Sequence, residues 1–271
     1  MPTTADKRRT FRALHERGCF MLPNPWDVGS ARYLQSLGFR ALATTSAGYA
    51  WSVGRPDNAI SRAQALDHCR ELAAATDVPL NADFEGGFAT EPEGVAESVR
   101  LCVATGIAGL SIEDSTGDAN APLYEFELAV ARVRAARDAI AATDPDVVFT
   151  ARTEGFVRGR PDLDETVRRL RAFSEAGADC LYAPGIRTPE QIRAVVDAVA
   201  PKPVNLLAAG ALPVRVDDLA QLGVRRISIG GALASAAWGG FMRAAKGLAE
   251  GRFDGFADAA SGGELNRLFR G

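Results

Sequence analysis

A chain of 271 residues that is 47% hydrophobic and 24% charged carries enough apolar mass for one large core. Its formal net charge of −3 gives no electrostatic reason to bind nucleic acid or an anionic membrane, so neither is expected as a partner. No apolar run approaches the roughly 20 residues that span a bilayer, and residues 1–17, which include Lys7, Arg8, Arg9, His15 and Glu16, lack the uninterrupted apolar stretch of a secretory signal.

In chain order, an apolar run at 19–22 predicts the first strand. Next comes a junction of helix end, glycine and short strand, Leu37-Gly38-Phe39-Arg40-Ala41-Leu42. Glycine just past a helix end takes the left-handed conformation that closes it, and the apolar run after it reads as a buried parallel strand. A helix is predicted over 61–76, with Ser61 as N-cap and Ala65, Leu66, Cys69, Leu72 and Ala73 at helical spacing, followed by a strand at 78–82. The junction recurs as Thr105-Gly106-Ile107-Ala108-Gly109-Leu110, and a fifth strand is predicted at 147–151. A helix over 163–176 places Val167, Leu170 and Phe173 on one face and ends in the junction Ala176-Gly177-Ala178-Asp179-Cys180-Leu181. Thr188-Pro189-Glu190 opens a helix over 188–199, a cap followed by proline at the first helical position. A strand at 203–206 and the junction Leu222-Gly223-Val224-Arg225-Arg226-Ile227 complete the series.

Eight alternating units in about 250 residues predict an α/β chain closed into a (β/α)8 TIM-type barrel, with 1–271 as one domain. An open doubly wound sheet is the alternative, but no G-x-G-x-x-G turn follows the first strand. Helical stretches at 232–250 and 253–269 exceed what one barrel unit needs, so 232–271 is expected to cap the barrel or to pack on, or swap with, a neighbouring subunit. Cys19, Cys69, Cys102 and Cys180 are far apart with no C-x-x-C pair, which predicts buried thiols in a reducing cytoplasm rather than a zinc site or a disulfide framework.

Active sites of such barrels gather at the C-terminal ends of the strands. Those ends carry Thr44-Thr45-Ser46-Ala47-Gly48-Tyr49, Asp83-Phe84-Glu85-Gly86-Gly87, Glu113-Asp114, Arg152-Thr153-Glu154 and Asn205. Carboxylates brought together in this way are costly unless paired or bound to metal. Hard divalent cations take oxygen ligands, and magnesium uses one or two carboxylates while keeping several waters. Asp83 and Glu85, as alternate residues at one strand end, are expected to point together into the mouth, with Glu113 completing the cradle for Mg2+ or Mn2+. Arg152 offers a fork that matches a substrate carboxylate, or else forms a rim salt bridge to Glu154 or Asp114. His15 and His68, the only histidines, fall in predicted helices away from these ends.

The ordered motifs Pro23-Asn24-Pro25-Trp26-Asp27, Ser46-Ala47-Gly48, Arg55-Pro56-Asp57, Asn81-Ala82-Asp83-Phe84-Glu85-Gly86-Gly87, Ile112-Glu113-Asp114, Ala151-Arg152-Thr153-Glu154 and Pro203-Val204-Asn205 resemble the isocitrate lyase/phosphoenolpyruvate mutase superfamily along nearly the whole chain. The resemblance implies a magnesium- or manganese-bound 2-oxo or 2-hydroxy acid and chemistry through an enolate-like intermediate. It implies Asp83, Glu85 and Glu113 as metal-binding acids acting partly through water, with Asp57 a further acid near the metal. It implies Ser46, Ala47 and Gly48 as a loop that receives the carboxylate and oxyanion, with Arg152 and Asn205 as substrate contacts. Arg152, Glu113 and Asp57 are then the catalytic candidates, and a homo-oligomer, dimer or tetramer, is the implied assembly.

Two departures stand out. The segment 115–124 lacks the lysine, cysteine and histidine of the lyase loop, although Asn120 can imitate the loop asparagine of the mutases and phosphonopyruvate hydrolases. Tyr182-Ala183-Pro184-Gly185 stands where relatives often carry glutamate or histidine. Three functions stay open: a carbon–carbon lyase, a phosphonate mutase or hydrolase, and a non-catalytic 2-oxo-acid binder.

Overall fold

Helix-closing glycines set the rhythm of the chain. Gly106 (φ 93°) and Gly177 (φ 104°) take the left-handed conformation that a side chain disfavours, and each turns a helix end directly into a strand. The computed structural model describes residues 2–210 and 215–270; Met1, residues 211–214 and Gly271 lie outside them, so the expectations for the two chain ends are followed only from Pro2 to Arg270. The elements are α1 Thr4–Glu16, β1 Phe20–Leu22, α2 Val28–Ser36, β2 Leu42–Ala43, α3 Ser46–Ser52, α4 Arg62–Ala75 and β3 Leu80–Asp83. They continue as α5 Pro92–Val103, β4 Gly109–Glu113, α6 Phe126–Thr143, β5 Val148–Arg152, α7 Leu163–Glu175, β6 Cys180–Tyr182 and α8 Pro189–Val199. The last are β7 Val204–Leu207, α9 Val216–Gln221, β8 Arg226–Ser228, α10 Ala232–Ala249 and α11 Gly262–Phe269.

All eight strands are parallel and neighbours in one sheet, ordered β1-β8-β7-β6-β5-β4-β3-β2. At the seam between β1 and β2, Ala43 N donates to Pro23 O at 3.0 Å and Asn24 Nδ2 donates to Thr44 O at 2.8 Å, so the barrel is nearly closed. This is the predicted (β/α)8 barrel with additional C-terminal helices. Strands predicted at 78–82 and 203–206 begin later than expected, because Pro79 and Pro203 have no N–H to give a ladder. The caps fall where the sequence put them: Ser61 accepts from Gln64 N, and Thr188 accepts from Gln191 N with Pro189 in the first turn.

Two cores follow from strand alternation. Outward residues such as Leu42, Ala82, Leu110, Ile112, Phe149, Leu181, Leu206 and Ile227 pack under the helices. Inside the barrel, Phe20, Leu22, Ala43 and Val148 meet Phe11 and Leu14 of α1, which crosses the N-terminal end as a plug. Burying a ring such as Phe11 contributes about 1.5–3 kcal/mol. The plug is fastened by Arg8, which donates to Ile107 O and Val103 O and pairs with Asp144, and by Lys7, which donates to Ala73 O.

The C-terminal helices cover little of this barrel. Only Ala234 and Gly247 of α10 are buried, whereas Phe241, Met242 and Phe253 are 62%, 52% and 71% exposed. Further on, α11 returns to α2, with the Phe269 ring against Gly29. Among the described residues no helix is long and apolar enough to cross a membrane.

Candidate active site

At the C-terminal end of the barrel a cavity of about 220 Å³ opens among Ser46, Ala47, Asp57, Asp83, Arg152 and Tyr182, with Asn24, Asn81, Ser111, Arg226 and Ser228 also in its wall. Register explains the gathering. Arg152 pairs with Glu113 on one side and Tyr182 on the other, so these residues stand side by side on β4, β5 and β6.

Asp83 ends β3 and is held from three directions. Ser46 donates to its Oδ2 through both N (3.0 Å) and Oγ (2.8 Å), Arg152 Nη1 lies 2.6 Å from Oδ1, and its own N–H donates to Thr44 Oγ1 at 2.8 Å. Arg152 also reaches Glu113 at 3.2 Å and Glu154 at 3.0 Å, and its guanidinium lies 4.9 Å from the Tyr182 ring centre. Burial opposes this charge, but Glu154, Glu113 and Asp83 hold the guanidinium firmly protonated. Of the two rim partners open to Arg152, Glu154 is present and Asp114 is not. Alternation turns Asp114 outward, where it accepts from Thr153 Oγ1, Glu154 N and Arg169 Nη1.

Three sequence expectations require correction, those for Glu85, for Ser46-Ala47-Gly48 and for Asn205. Glu85 does not alternate with Asp83 along a strand: β3 stops at Asp83, and Glu85 takes a left-handed backbone (φ 47°) in the following turn. It therefore faces a neighbouring depression with Glu113, Ser115 and Tyr124 rather than the main cavity. Ser46, Ala47 and Gly48 are not loop residues but the first turn of α3, capped by Thr45, whose hydroxyl takes the Gly48 N–H at 3.2 Å. Gly48 instead permits close packing, since a Cβ there would lie 2.6 Å from Thr45 Cγ2 and 3.1 Å from Trp26 Cβ. Asn205 is fully buried behind the wall, donating to Ser228 Oγ (2.9 Å) and accepting from Arg226 Nε (2.7 Å). Asp57 reaches the cavity from an exposed turn.

Charge at the mouth is unbalanced. Asp57, Asp83, Glu85, Glu113 and Glu154 surround Arg152 and Arg158, the latter 3.5 Å from Glu113. Burial, then Asp83 and Asp57, push the Glu85 carboxyl up to about 7, and its Oε1 is buried without a hydrogen-bond partner. Burial and Glu154 likewise raise Glu113, and burial raises Asp57 ahead of Asp83. An all-oxygen donor set with surplus negative charge and an unsatisfied carboxylate oxygen fits a hard divalent cation. Among the described residues no three acidic, histidine or cysteine side chains stand close enough to share one ion directly. The fit is therefore to a cation held by one or two carboxylates and reached by the others through water.

A family model described as phosphoenolpyruvate phosphomutase matches residues 11–249. The chain belongs to that family. It lies within the isocitrate lyase/phosphoenolpyruvate mutase superfamily. Among relatives of this family, the 2-methylisocitrate lyase of Escherichia coli (strain K12) is 33% identical over 221 residues, which cover 78% of this chain and 73% of that one. A solved protein from Burkholderia cenocepacia J2315 shares 49% identity with a TM-score of 0.95, covering 99% of this chain and 97% of its own. A phosphonopyruvate hydrolase solved with oxalate and Mg2+ is 28% identical with a TM-score of 0.83, covering 97% and 94%.

The cavity also contains residues to which the sequence reading gives no role of their own. Asn24 fastens the seam by accepting from Ile229 N and Gly230 N, both at 3.0 Å. Tyr182 is buried beside Arg152, and burial pushes its hydroxyl up to about 12. Arg226 carried a legible signal: a charge at a strand position between the apolar Val224 and Ile227.

Proposed function

We propose that this protein is a divalent-metal-dependent enzyme of the carbon–carbon lyase type, acting on a small 2-oxo or 2-hydroxy (di)carboxylic acid through an enolate-like intermediate. The observation that carries this reading is the mouth itself: Asp83, gripped by Ser46 and Arg152, beside the unpartnered Glu85 and the buried Glu113. Asp83 would hold Mg2+ or Mn2+, with Glu85 and Glu113 reaching it through water. Such an ion supplies polarisation of the oxo oxygen and stabilises the charge that builds there.

The chain's own groups do the rest. The N–H and hydroxyl of Ser46 both go to Asp83; once Asp83 turns to the ion, these donors, beside Ala47 in the cavity wall, would pass to the substrate carboxylate and the developing oxyanion. Arg152, fixed in orientation by Asp83, Glu113 and Glu154, would meet a substrate carboxylate with the N–H edge of its guanidinium. Asp57, whose carboxyl burial and Asp83 raise at the mouth, is the acid placed to exchange a proton with substrate. Tyr182 stays protonated and donates.

We further read the whole chain as one cytoplasmic barrel domain that assembles as a dimer or tetramer through its C-terminal helices. A phosphonate reaction would need Asn120. That residue is exposed in a small hairpin closed by the Ser115–Leu123 bridge, and it is not among the residues lining the cavity. The lyase reading is therefore preferred. Calorimetric titration with oxalate tests the site, and a product survey over 2-oxo, 2-hydroxy and phosphono acids tests the reaction. Oxalate should bind only with Mg2+ or Mn2+ present, and Asp83→Ala should weaken both metal and oxalate by at least about 100-fold, the loss of a charged buried partner. Full oxalate affinity in excess chelator would defeat this reading.

A further inference from the structure

The polar lining of the cavity does not end at the acidic mouth. Arg226 lies on β8 with Asn205 and Phe20 as its register neighbours, and it lines the cavity that Asp83 and Arg152 line above. It is 2% exposed. Its Nε donates to Asn205 Oδ1 at 2.7 Å, and its Nη1 lies 3.3 Å from His15 Nε2. Among the described residues no carboxylate lies within ion-pair distance of it.

Other buried arginines of this barrel are treated differently. Arg8 pairs with Asp144, Arg169 with Asp114 and Glu165, and Arg152 with three acids. Arg132 has the carbonyls of Gly86, Ala89 and Thr90. Arg226 has one amide oxygen and one imidazole nitrogen. The groups facing it are His15 from α1, Cys180 and Tyr182 from β6, Asn205 from β7 and Arg152 from β5, none of them an anion at neutral pH. Leaving a guanidinium buried without a counter-charge is costly, and a site that keeps one is suited to an anion that arrives.

The geometry points to Arg226 as the floor of a second anion subsite, which takes the distal carboxylate of a dicarboxylic acid whose 2-oxo or 2-hydroxy end lies at the mouth. This rests on the reading of the mouth proposed above and narrows its substrate class to diacids. The two ends of the cavity differ in sign: surplus carboxylates above, a guanidinium without a counter-charge below. Ser228, which lines the cavity two residues beyond Arg226 and accepts from Asn205, supplies a hydroxyl on the same strand. Beneath Arg226, the edge-on rings of Phe11, His15 and Phe20 pack together and fill the barrel. A monocarboxylate leaves the floor cation unpaired; a diacid of the right length does not.

Calorimetry on the full chain with Mg2+ tests this with matched ligands: oxaloacetate against 2-oxobutyrate, and 2-oxoglutarate against 2-oxopentanoate. Oxalate, too short to reach both ends, serves as the reference. At one of the two lengths the wild type should prefer the diacid at least about tenfold, the size of one charged hydrogen-bonded contact. Arg226→Gln should erase that preference while oxalate affinity stays within about twofold, and Arg226→Lys should restore part of it. The wild-type comparison stands even if the glutamine variant does not fold. Equal affinity for diacid and mono-acid at both lengths, or a preference that survives Arg226→Gln, overturns the subsite. If oxalate itself fails to bind with Mg2+, the reading of the mouth falls first, and the subsite with it.

Discussion

Burial pushes the thiols of Cys19, Cys102 and Cys180 above their ordinary range, and Cys69, Cys102 and Cys180 are enclosed outright. A thiol that reacts needs exposure and a lowered pKa, and none of the four lines the cavity. Alkylation under native conditions should therefore leave turnover nearly intact, as should a folded variant with all four cysteines replaced. Rapid inactivation that substrate prevents, tracking one modified cysteine, would count against this. At the same scale, the chemistry of the mouth was legible because strand ends are readable: Asp83, Glu113 and Arg152 fall where apolar runs stop. What was not legible is direction past the last ladder bond. Glu85 sits one residue into a left-handed turn, and no spacing rule anticipates φ 47° at a glutamate. Asn205 reads as a contact but stands behind Ser228 and Arg226 of the neighbouring strand β8, which engage both ends of its amide.

Elements were easier to read than contacts. Ser61, Thr188 and the glycine junctions carry local signals that do not depend on the rest of the fold, and they mark boundaries to within a residue or two. Helix α3 was missed because Ser46–Ser52 is only 7 residues long and its sequence resembles a small-residue loop. The tail shows the opposite case, a clear helix whose apolar side chains find little cover among the described residues. Trp238 and Phe241 stack edge to face on α10 yet remain 40% and 62% exposed, a surface that a monomer rarely leaves uncovered. Light scattering should report at least a dimer, and Phe241→Glu should shift it toward the monomer by putting a charge into the contact. A wild-type chain that stays monomeric at micromolar concentration would refute the assembly.

For the molecule as a whole, the plug ties stability to pH. Burial first, then Arg226, holds His15 down to about 3, and burial holds His68 down to about 4. Both are neutral in the fold, while the unfolded chain takes up protons below its ordinary 6.5. Their contribution is complete above pH 6.5 and drains as the pH falls, by about 2 kcal/mol each at pH 5. Glu85 and Glu113, raised in the fold, act with the opposite sign and lose stability as pH rises from their ordinary value toward about 7 for Glu85 and about 8 for Glu113. A difference between chains isolates the histidine. Urea denaturation of wild type and His15→Gln from pH 7.5 to 5 should show the gap between them shrinking by about 2 kcal/mol. Parallel profiles would remove His15 from the account.

The same plug imposes an order of traffic. Among the described residues Phe11 and His15 close the barrel below, so a ligand would enter from the mouth, and whatever enters deepest would be last to go. If cleavage leaves one fragment against Arg226 and the other at the mouth, the upper fragment must depart before the lower can move. The lower fragment then competes with fresh substrate for the empty enzyme, and the upper does not. Run in reverse, joining the two fragments requires loading from the floor upward. In that case a helix that touches no substrate would fix the sequence in which the products leave.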